Sequence, residues 1–238
     1  MQYNILVCDD DIDIRNALAI YLGQEGYRVF HAANGLEAVE SMQRENIHLI
    51  LLDVMMPEMD GIFATIKIRE TSNVPILFLS AKSEDTDRVL GLNMGGDDYI
   101  TKPFNPIELM ARVKAALRRY ARLGGLIINE TKQTQTDYVY RTGGLILDDI
   151  RKQVTVDGEE VSLTALEYNI LKLLISNLDR VFSSDQIYEA VWDEPAFYVT
   201  KTVSVHIRHI REKIEINPKE PHYLKVVYGL GYKVVKHD

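Results

Sequence analysis

The sequence predicts a doubly wound α/β domain built on a five-stranded parallel sheet, followed by a smaller α+β domain. Three observations carry this expectation. Residues 1–122 alternate five apolar runs of strand length with segments of helical spacing. The runs are apolar throughout, which marks strands covered on both faces and hence a parallel sheet. From residue 144 the pattern changes to short alternating pieces, three helical stretches and a terminal hairpin.

The strands are expected at 4-NILVC-8, 27-YRVFHA-32, 48-HLILLD-53, 74-VPILFLS-80 and 98-DYIT-101. In 14-IRNALAIYLGQEGY-27, Ile14, Leu18, Tyr21 and Leu22 share one helical stripe, as do Leu36, Val39 and Met42 in 36-LEAVESMQREN-46. Pro106, suited to a first helical turn, opens 106-PIELMARVKAALRRYAR-122. Five strands in strict alternation with five helices complete domain 1–122. Residues 123–143 are polar and aperiodic and read as a linker, in which 126-LIIN-129 and 138-YVY-140 have strand composition. In domain 144–238, Asp157-Gly158 between strand-like flanks signals a hairpin. Helices are expected within 164–178, 184–192 and 200–215, and the hairpin 223–236 turns at Gly229 or Gly231.

At 46% apolar and 26% charged residues the composition is that of a globular protein. No apolar run approaches the roughly 20 residues of a membrane helix, and no signal-peptide pattern opens the chain. The single cysteine, Cys8, lies in an apolar strand and can form no intrachain disulfide. A cytoplasmic protein without a membrane partner is expected. The net charge of −8 weighs against nucleic acid, but its distribution does not. Residues 142–195 hold 4 Lys+Arg against 11 Asp+Glu, whereas residues 196–238 hold 8 against 4.

Ligands of a doubly wound sheet bind beyond the carboxyl ends of its strands. Asp9 and Asp10 follow the first strand, Asp53 ends the third, Ser80 the fourth and Lys102 the fifth. Crowded carboxylates repel unless a cation joins them, and an oxygen-only site suits Mg²⁺. A hard cation with a lysine opposite a carboxylate stabilises a transferring phosphoryl group. Aspartate is a competent phosphoryl nucleophile through an acyl phosphate. Asp53, alone on the central strand, is the candidate nucleophile, and Asp9-Asp10 the metal pair.

With Pro57, Asp60-Gly61, Ser80-Ala81 and 97-DDYITKPF-104, this set resembles the CheY-like receiver domain of bacterial two-component response regulators across residues 1–122. The resemblance implies that Asp53 accepts phosphate from a sensor histidine kinase. It also implies that Asp10, Asp53 and the Met55 carbonyl bind Mg²⁺ with Asp9 assisting. Lys102 would contact the phosphate, Ser80 would move to hydrogen-bond it, and Tyr99 would follow as an aromatic switch. The Lys102–Pro103 bond is expected to be cis. Such a chain assists its own phosphorylation and dephosphorylation but is not otherwise an enzyme. The phosphorylated form would dimerise about a twofold axis through its fourth-helix/fifth-strand/fifth-helix face, pairing Arg88 with Glu108, Asp97 with Arg112 and Asp98 with Arg119.

In segment 200–215, Val203, Ile207, Ile210 and Ile214 follow helical spacing and read as core. Lys201, Ser204, Arg208 and Arg211 share the opposite side, flanked by His206, His209 and Lys213. Three helices closed by a glycine-containing hairpin suggest a winged helix-turn-helix. Residues 145–238 resemble the effector domain of the OmpR/PhoB family, in 163-LTALEYNILKLL-174, Trp192, 202-TVSVHIRHIREKI-214 and 226-VVYGLGYKV-234, nearest a VanR-like branch. The resemblance implies promoter DNA contacts by Lys201, Ser204, His206, Arg208, His209 and Arg211, on tandem half-sites. Tyr228 stands at the wing position where relatives place arginine, and 193-DEPAFYVT-200 corresponds to a loop that meets RNA polymerase. Two other readings are a haloacid-dehalogenase-type phosphatase and a protein-binding adaptor. The phosphatase requires Asp-x-Asp at the first strand, where this chain has Cys8-Asp9-Asp10-Asp11.

Overall fold

The computed structural model describes residues 2–81, 95–121, 138–192 and 200–237. The chain divides into two compact units, Met1–Gly125 and Leu126–Asp238.

The first unit is a five-stranded sheet in the order β2-β1-β3-β4-β5. Its strands are β1 (Asn4–Cys8), β2 (Arg28–Ala32), β3 (Leu49–Asp53), β4 (Ile76–Ala81) and β5 (Asp98–Lys102). Every pairing is parallel. The helices are α1 (Ile12–Gln24), α2 (Gly35–Arg44), α3 (Gly61–Arg69) and α4 (Pro106–Tyr120). The helix expected between β4 and β5 falls among residues 82–94, outside the described residues; α4 is therefore the fifth helix of the sequence reading. Period-two alternation sends β1 residues Ile5 and Val7 to one face and Leu6 and Cys8 to the other. The first face packs on Leu18 and Leu22 of α1 and on Leu109 and Val113 of α4. The second packs on Ala38 of α2 and on Ala64 and Ile68 of α3. Both faces are covered by helices, which is why the strands carry no alternation in sequence. Side-chain oxygens cap the helices at Asp11, Asn34, Asp60 and Asn105. The strand order reverses between β1 and β3, and this opens a crevice at their carboxyl ends.

The second unit opens with an antiparallel sheet, β6 (Val139–Thr142), β7 (Leu145–Asp148), β8 (Gln153–Val156) and β9 (Glu159–Glu160). β6 begins within 138-YVY-140, so the ordered unit starts ahead of Gly144, inside the segment read as linker. Four residues of alternating pattern are too few to announce a strand without β7 beside them. The β8–β9 hairpin turns at Asp157 and Gly158, both at positive φ (51° and 89°), the geometry this dipeptide favours. Three helices follow, α5 (Ala165–Ile175), α6 (Ser184–Trp192) and α7 (Thr200–Ile214). The hairpin β10 (Leu224–Val227) and β11 (Gly231–Val234) closes the unit. Gly229 (φ 75°) makes its turn. At Gly231 a Cβ would lie 2.0 Å from the Phe182 carbonyl oxygen, so only glycine lets the hairpin pair with the chain before α6. Beyond α7, buried Glu215 accepts the backbone N–H groups of His222, Tyr223 and Leu224 at 2.7–3.0 Å. Among the described residues no helix is long and apolar enough to cross a membrane.

Candidate functional site

The crevice holds the acidic cluster. Asp9 directly follows β1 and is fully buried, Asp10 is exposed, and Asp53 ends β3 with 8% exposure. Carboxylate oxygens of the three lie within 4.8 Å of one another. Lys102, at the end of β5, donates to Asp9 Oδ2 at 2.6 Å and to Asp53 Oδ2 at 2.9 Å. Burial pushes the Asp53 pKa above the usual carboxylate range, even against the Lys102 ammonium. Burial alone would lower the Lys102 pKa, yet its bonds to Asp9 and Asp53 carry it above the ordinary lysine value. One ammonium thus holds two carboxylates together in a partly desolvated crevice.

Local sequence explains the fit. Asp60 caps α3 by accepting the Phe63 N–H at 2.8 Å, and Gly61 donates to the Val54 carbonyl at 3.0 Å. A Cβ at Gly61 would lie 2.1 Å from the Asp53 carbonyl oxygen. The Asp-Gly pair therefore seats the N-terminus of α3 against the end of β3. The Met55 amide donates to the Asp53 carboxylate while its side chain faces solvent. The Lys102–Pro103 bond is cis. Ser80 is buried on β4, opposite Thr101. Tyr99 stands opposite Phe78, so Ser80 and Tyr99 share a sheet face one step apart, and Tyr99 packs half-buried on the core there.

The charged face near β5 is more inward than expected. Asp98 is buried and accepts from Arg112 at 2.7 Å within the chain, while Arg112 also meets Glu108 at 3.1 Å. Arg119 is 7% exposed, and Arg88 lies outside the described residues. Asp97 corrects the sequence reading. It is 3% exposed and bound to Arg69 and to the Ile76 N–H, each at 2.8 Å, so it faces the interior and is no partner-facing charge. Asp98, the next residue, is equally enclosed but turns to a different arginine, Arg112. Arg69, which the sequence reading did not single out, also donates to the Gly95 and Val74 carbonyls.

In the second unit Val203, Ile207, Ile210 and Ile214 are core as expected. His206 and His209 correct the reading of the basic face: they are 2% and 8% exposed and offer little surface to a ligand. The His206 ring sits 5.5 Å from that of Trp192, which stacks on Tyr188. Residues 203, 206, 207 and 210 form one i, i+3, i+4, i+7 stripe, so both period and neighbours put His206 inside. Arg211 is half-buried, with Nε donating to the Leu224 carbonyl at 2.9 Å, which ties α7 to the hairpin. Ser204 is half-buried, and the Lys201 side chain lies outside the described residues. Arg208 is exposed, and Tyr228 at the hairpin tip is 90% exposed. Loop 193–199 lies outside the described residues.

Buried Glu167 is a hub that the sequence reading did not single out. It completes a capping box with Thr164 and accepts Lys213 Nζ at 2.6 Å, and His209 Nδ1 lies 3.9 Å away. The Thr-x-x-Glu spacing of 164-TALE-167 marks the cap in sequence, but not the partners from α7.

Comparison with known proteins accords with this architecture. The family model for the response regulator receiver domain matches residues 5–114. That for the C-terminal domain of transcriptional regulatory proteins matches residues 158–234. Regulatory protein VanRc of Enterococcus gallinarum is 40% identical over 236 residues, covering 99% of this chain and 100% of its own. Transcriptional regulatory protein SrrA of Staphylococcus aureus is 38% identical over 234 residues, covering 98% and 95%. Among solved structures, a mutant of RitR superposes with a TM-score of 0.75 at 24% identity over 98% and 99% of the two chains, a likeness of fold. DrrB of Thermotoga maritima, described as an OmpR/PhoB homologue, is 31% identical with a TM-score of 0.50 over 99% and 100%. With both domains matched in order and full-length relatives at this identity, the chain belongs to the OmpR/PhoB family of two-component response regulators, receiver first and transcription-regulatory winged helix second.

Proposed function

We propose that this regulator is switched on by transfer of a phosphoryl group from a sensor histidine kinase to Asp53. The observation that carries the reading is the Lys102 ammonium shared between Asp53 and Asp9, with Asp10 alongside. An Asp53 oxygen attacks phosphorus, the P–N bond to the kinase imidazole breaks, and the imidazole takes up a proton as it leaves. Lys102 meets the new phosphoryl oxygens as a fixed positive charge. Ser80 donates its hydroxyl to them, and Tyr99, on the same sheet face, fills the space behind it.

The donor set is all oxygen, which fits a hard divalent cation. Asp10, Asp53 and the Met55 carbonyl would hold Mg²⁺, with Asp9 assisting. Bound there, Mg²⁺ neutralises charge that builds on the phosphoryl oxygens.

Two domains, 1–122 and a second that starts by Val139, divide the work. Phosphorylation favours a twofold dimer in which Asp98 and Arg112 exchange the bond they share within the chain for partners across the axis, joined by Glu108, Arg119 and, from the segment outside the described residues, Arg88. The dimer grips tandem promoter half-sites with α7 in the major groove and the β10–β11 wing beside it, and loop 193–200 meets RNA polymerase. Because its target is promoter DNA, the protein works in the cytoplasm. The test uses labelled acetyl phosphate. An acyl phosphate is labile to alkali, so label that alkali removes and that Asp53→Ala fails to take up supports the reading. Alkali-resistant label, or label retained by Asp53→Ala, refutes it.

A further inference from the structure

Arg208 is the exposed arginine of α7, and two side chains fix its guanidinium. Nε lies 3.3 Å from Glu212 Oε1, one turn on, and Nη2 lies 3.1 Å from His209 Nε2. A guanidinium can only donate, so His209 Nε2 is the acceptor and carries no proton. The neutral ring then bears its proton on Nδ1, the nitrogen that faces Glu167 at 3.9 Å. Glu167 is itself held by the Thr164 N–H at 2.8 Å and by Lys213. A buried carboxylate thus stands beside a nearly buried imidazole without a direct hydrogen bond to it, and the imidazole in turn accepts from a surface arginine.

We propose that His209 is a positioning residue for sequence reading: its neutral ring locks the plane of Arg208 for a bidentate contact with guanine, and protonation of the ring releases it. This rests on the proposed DNA contact of α7. Bidentate recognition of the guanine O6/N7 edge depends on a fixed guanidinium plane. A protonated ring has no lone pair to offer Arg208 and adds a like charge beside it. The groups facing His209 among the described residues are Glu167 from α5 and, on α7, His206 (rings 6.3 Å apart), Arg208 and Lys213, with the uncharged Trp192 ring of α6 beyond His206. Imidazole titrates between pH 5 and 8, and no other side chain in this set ordinarily does except His206. Specificity is thus full above that window and lost as the pH falls through it.

The experiment uses the full chain and a duplex recovered by selection from random-sequence DNA. Single-base variants of that duplex identify the position at which a substitution ceases to matter in Arg208→Ala. The readout is the ratio of affinities for the selected duplex and the variant at that position, at pH 7.5 and 5.5. For the wild type this ratio is expected to fall roughly tenfold on acidification. His209→Gln, whose amide oxygen accepts from Arg208 but does not titrate, keeps a ratio that is flat with pH. His209→Leu gives a low ratio at both values while retaining its circular dichroism spectrum and thermal midpoint. A wild-type ratio that ignores pH, or a Gln variant that keeps the wild-type pH dependence, overturns the proposal. If the wild type shows no salt-sensitive binding to any duplex, the DNA-binding reading itself falls, and this inference falls with it.

Discussion

Arg69 and Asp97 form a buried ion pair at 2.8 Å that joins the end of α3 to the residue before β5. Their side chains are 13% and 4% exposed, so neither can recover its hydration if the other is removed. Arg69→Ala is expected to lower the stability of the first unit by about 3–5 kcal/mol, read from its urea transition. Asp97→Arg should be comparably damaging before any phosphorylation, as two cations then share one buried site. A variant of normal stability and altered dimerisation alone would return Asp97 to the surface face.

Asp53 is an internal cost to the fold. Its pKa is raised by burial, so between the unfolded and folded values the native state binds more protons than the unfolded one. Its contribution is therefore unfavourable at neutral pH, and the penalty is relieved as the pH falls through the folded value. Asp53→Asn should be more stable than wild type at pH 7 in buffer free of divalent cations, with the gap closing on acidification. Urea midpoints at pH 7, 5.5 and 4 test this; a gap that widens toward acid contradicts it.

Glu167 has the opposite sign. Burial would raise its pKa, but Lys213 and the Thr164 N–H hold it below the glutamate value of 4.5. Its stabilisation is full above the unfolded pKa and lost as the pH falls through the lower folded one. Lys213→Met leaves a buried carboxylate without its cation and should destabilise the second unit by about 3 kcal/mol at pH 7. That difference should narrow as the pH falls through the lowered folded pKa of Glu167, where the carboxylate takes up its proton. Acid titration of the second unit's unfolding provides the measurement.

Gly61→Ala forces a Cβ to 2.1 Å from the Asp53 carbonyl oxygen, a contact that only a shift of α3 or of Asp53 can relieve. Incorporation of phosphoryl label should fall at least tenfold with the fold retained by circular dichroism. Wild-type incorporation would mean that the crevice tolerates a displaced helix.

Tyr228 puts an uncharged ring at the wing tip. Tyr228→Arg should steepen the dependence of log affinity on log salt by about 0.9, through one added phosphate contact. Tyr228→Ala should leave that slope unchanged. Filter binding or anisotropy across a salt series resolves the two.

The parallel sheet was legible because two buried faces leave an unbroken apolar run, as in 49-LILLD-53, and because carboxylates end the runs at the crevice beyond the strands. Residue type misleads where position should rule. Chemistry groups His206 and His209 with the basic residues, although His206 falls in the stripe of Val203 and Ile210. Composition groups Asp97 with Asp98 as one charged face, although both are buried and each binds its own arginine, Arg69 and Arg112. The Arg69–Asp97 and Glu167–Lys213 links join residues 28 and 46 positions apart, and no local pattern encodes such a distance. The strand composition of 138-YVY-140 was visible, but its place in the second unit was not, because β6 is defined by pairing with β7.

The clasp of Glu215 on three successive amides, with Arg211 bound to the Leu224 carbonyl, fastens the start of the wing to the end of α7. Helix and hairpin are therefore tied to each other at one relative placement. On the proposed contact of α7 and the wing with DNA, a half-site would have to present its two contact zones at one fixed separation, and lengthening it by a base pair should defeat binding more thoroughly than changing any one letter within it.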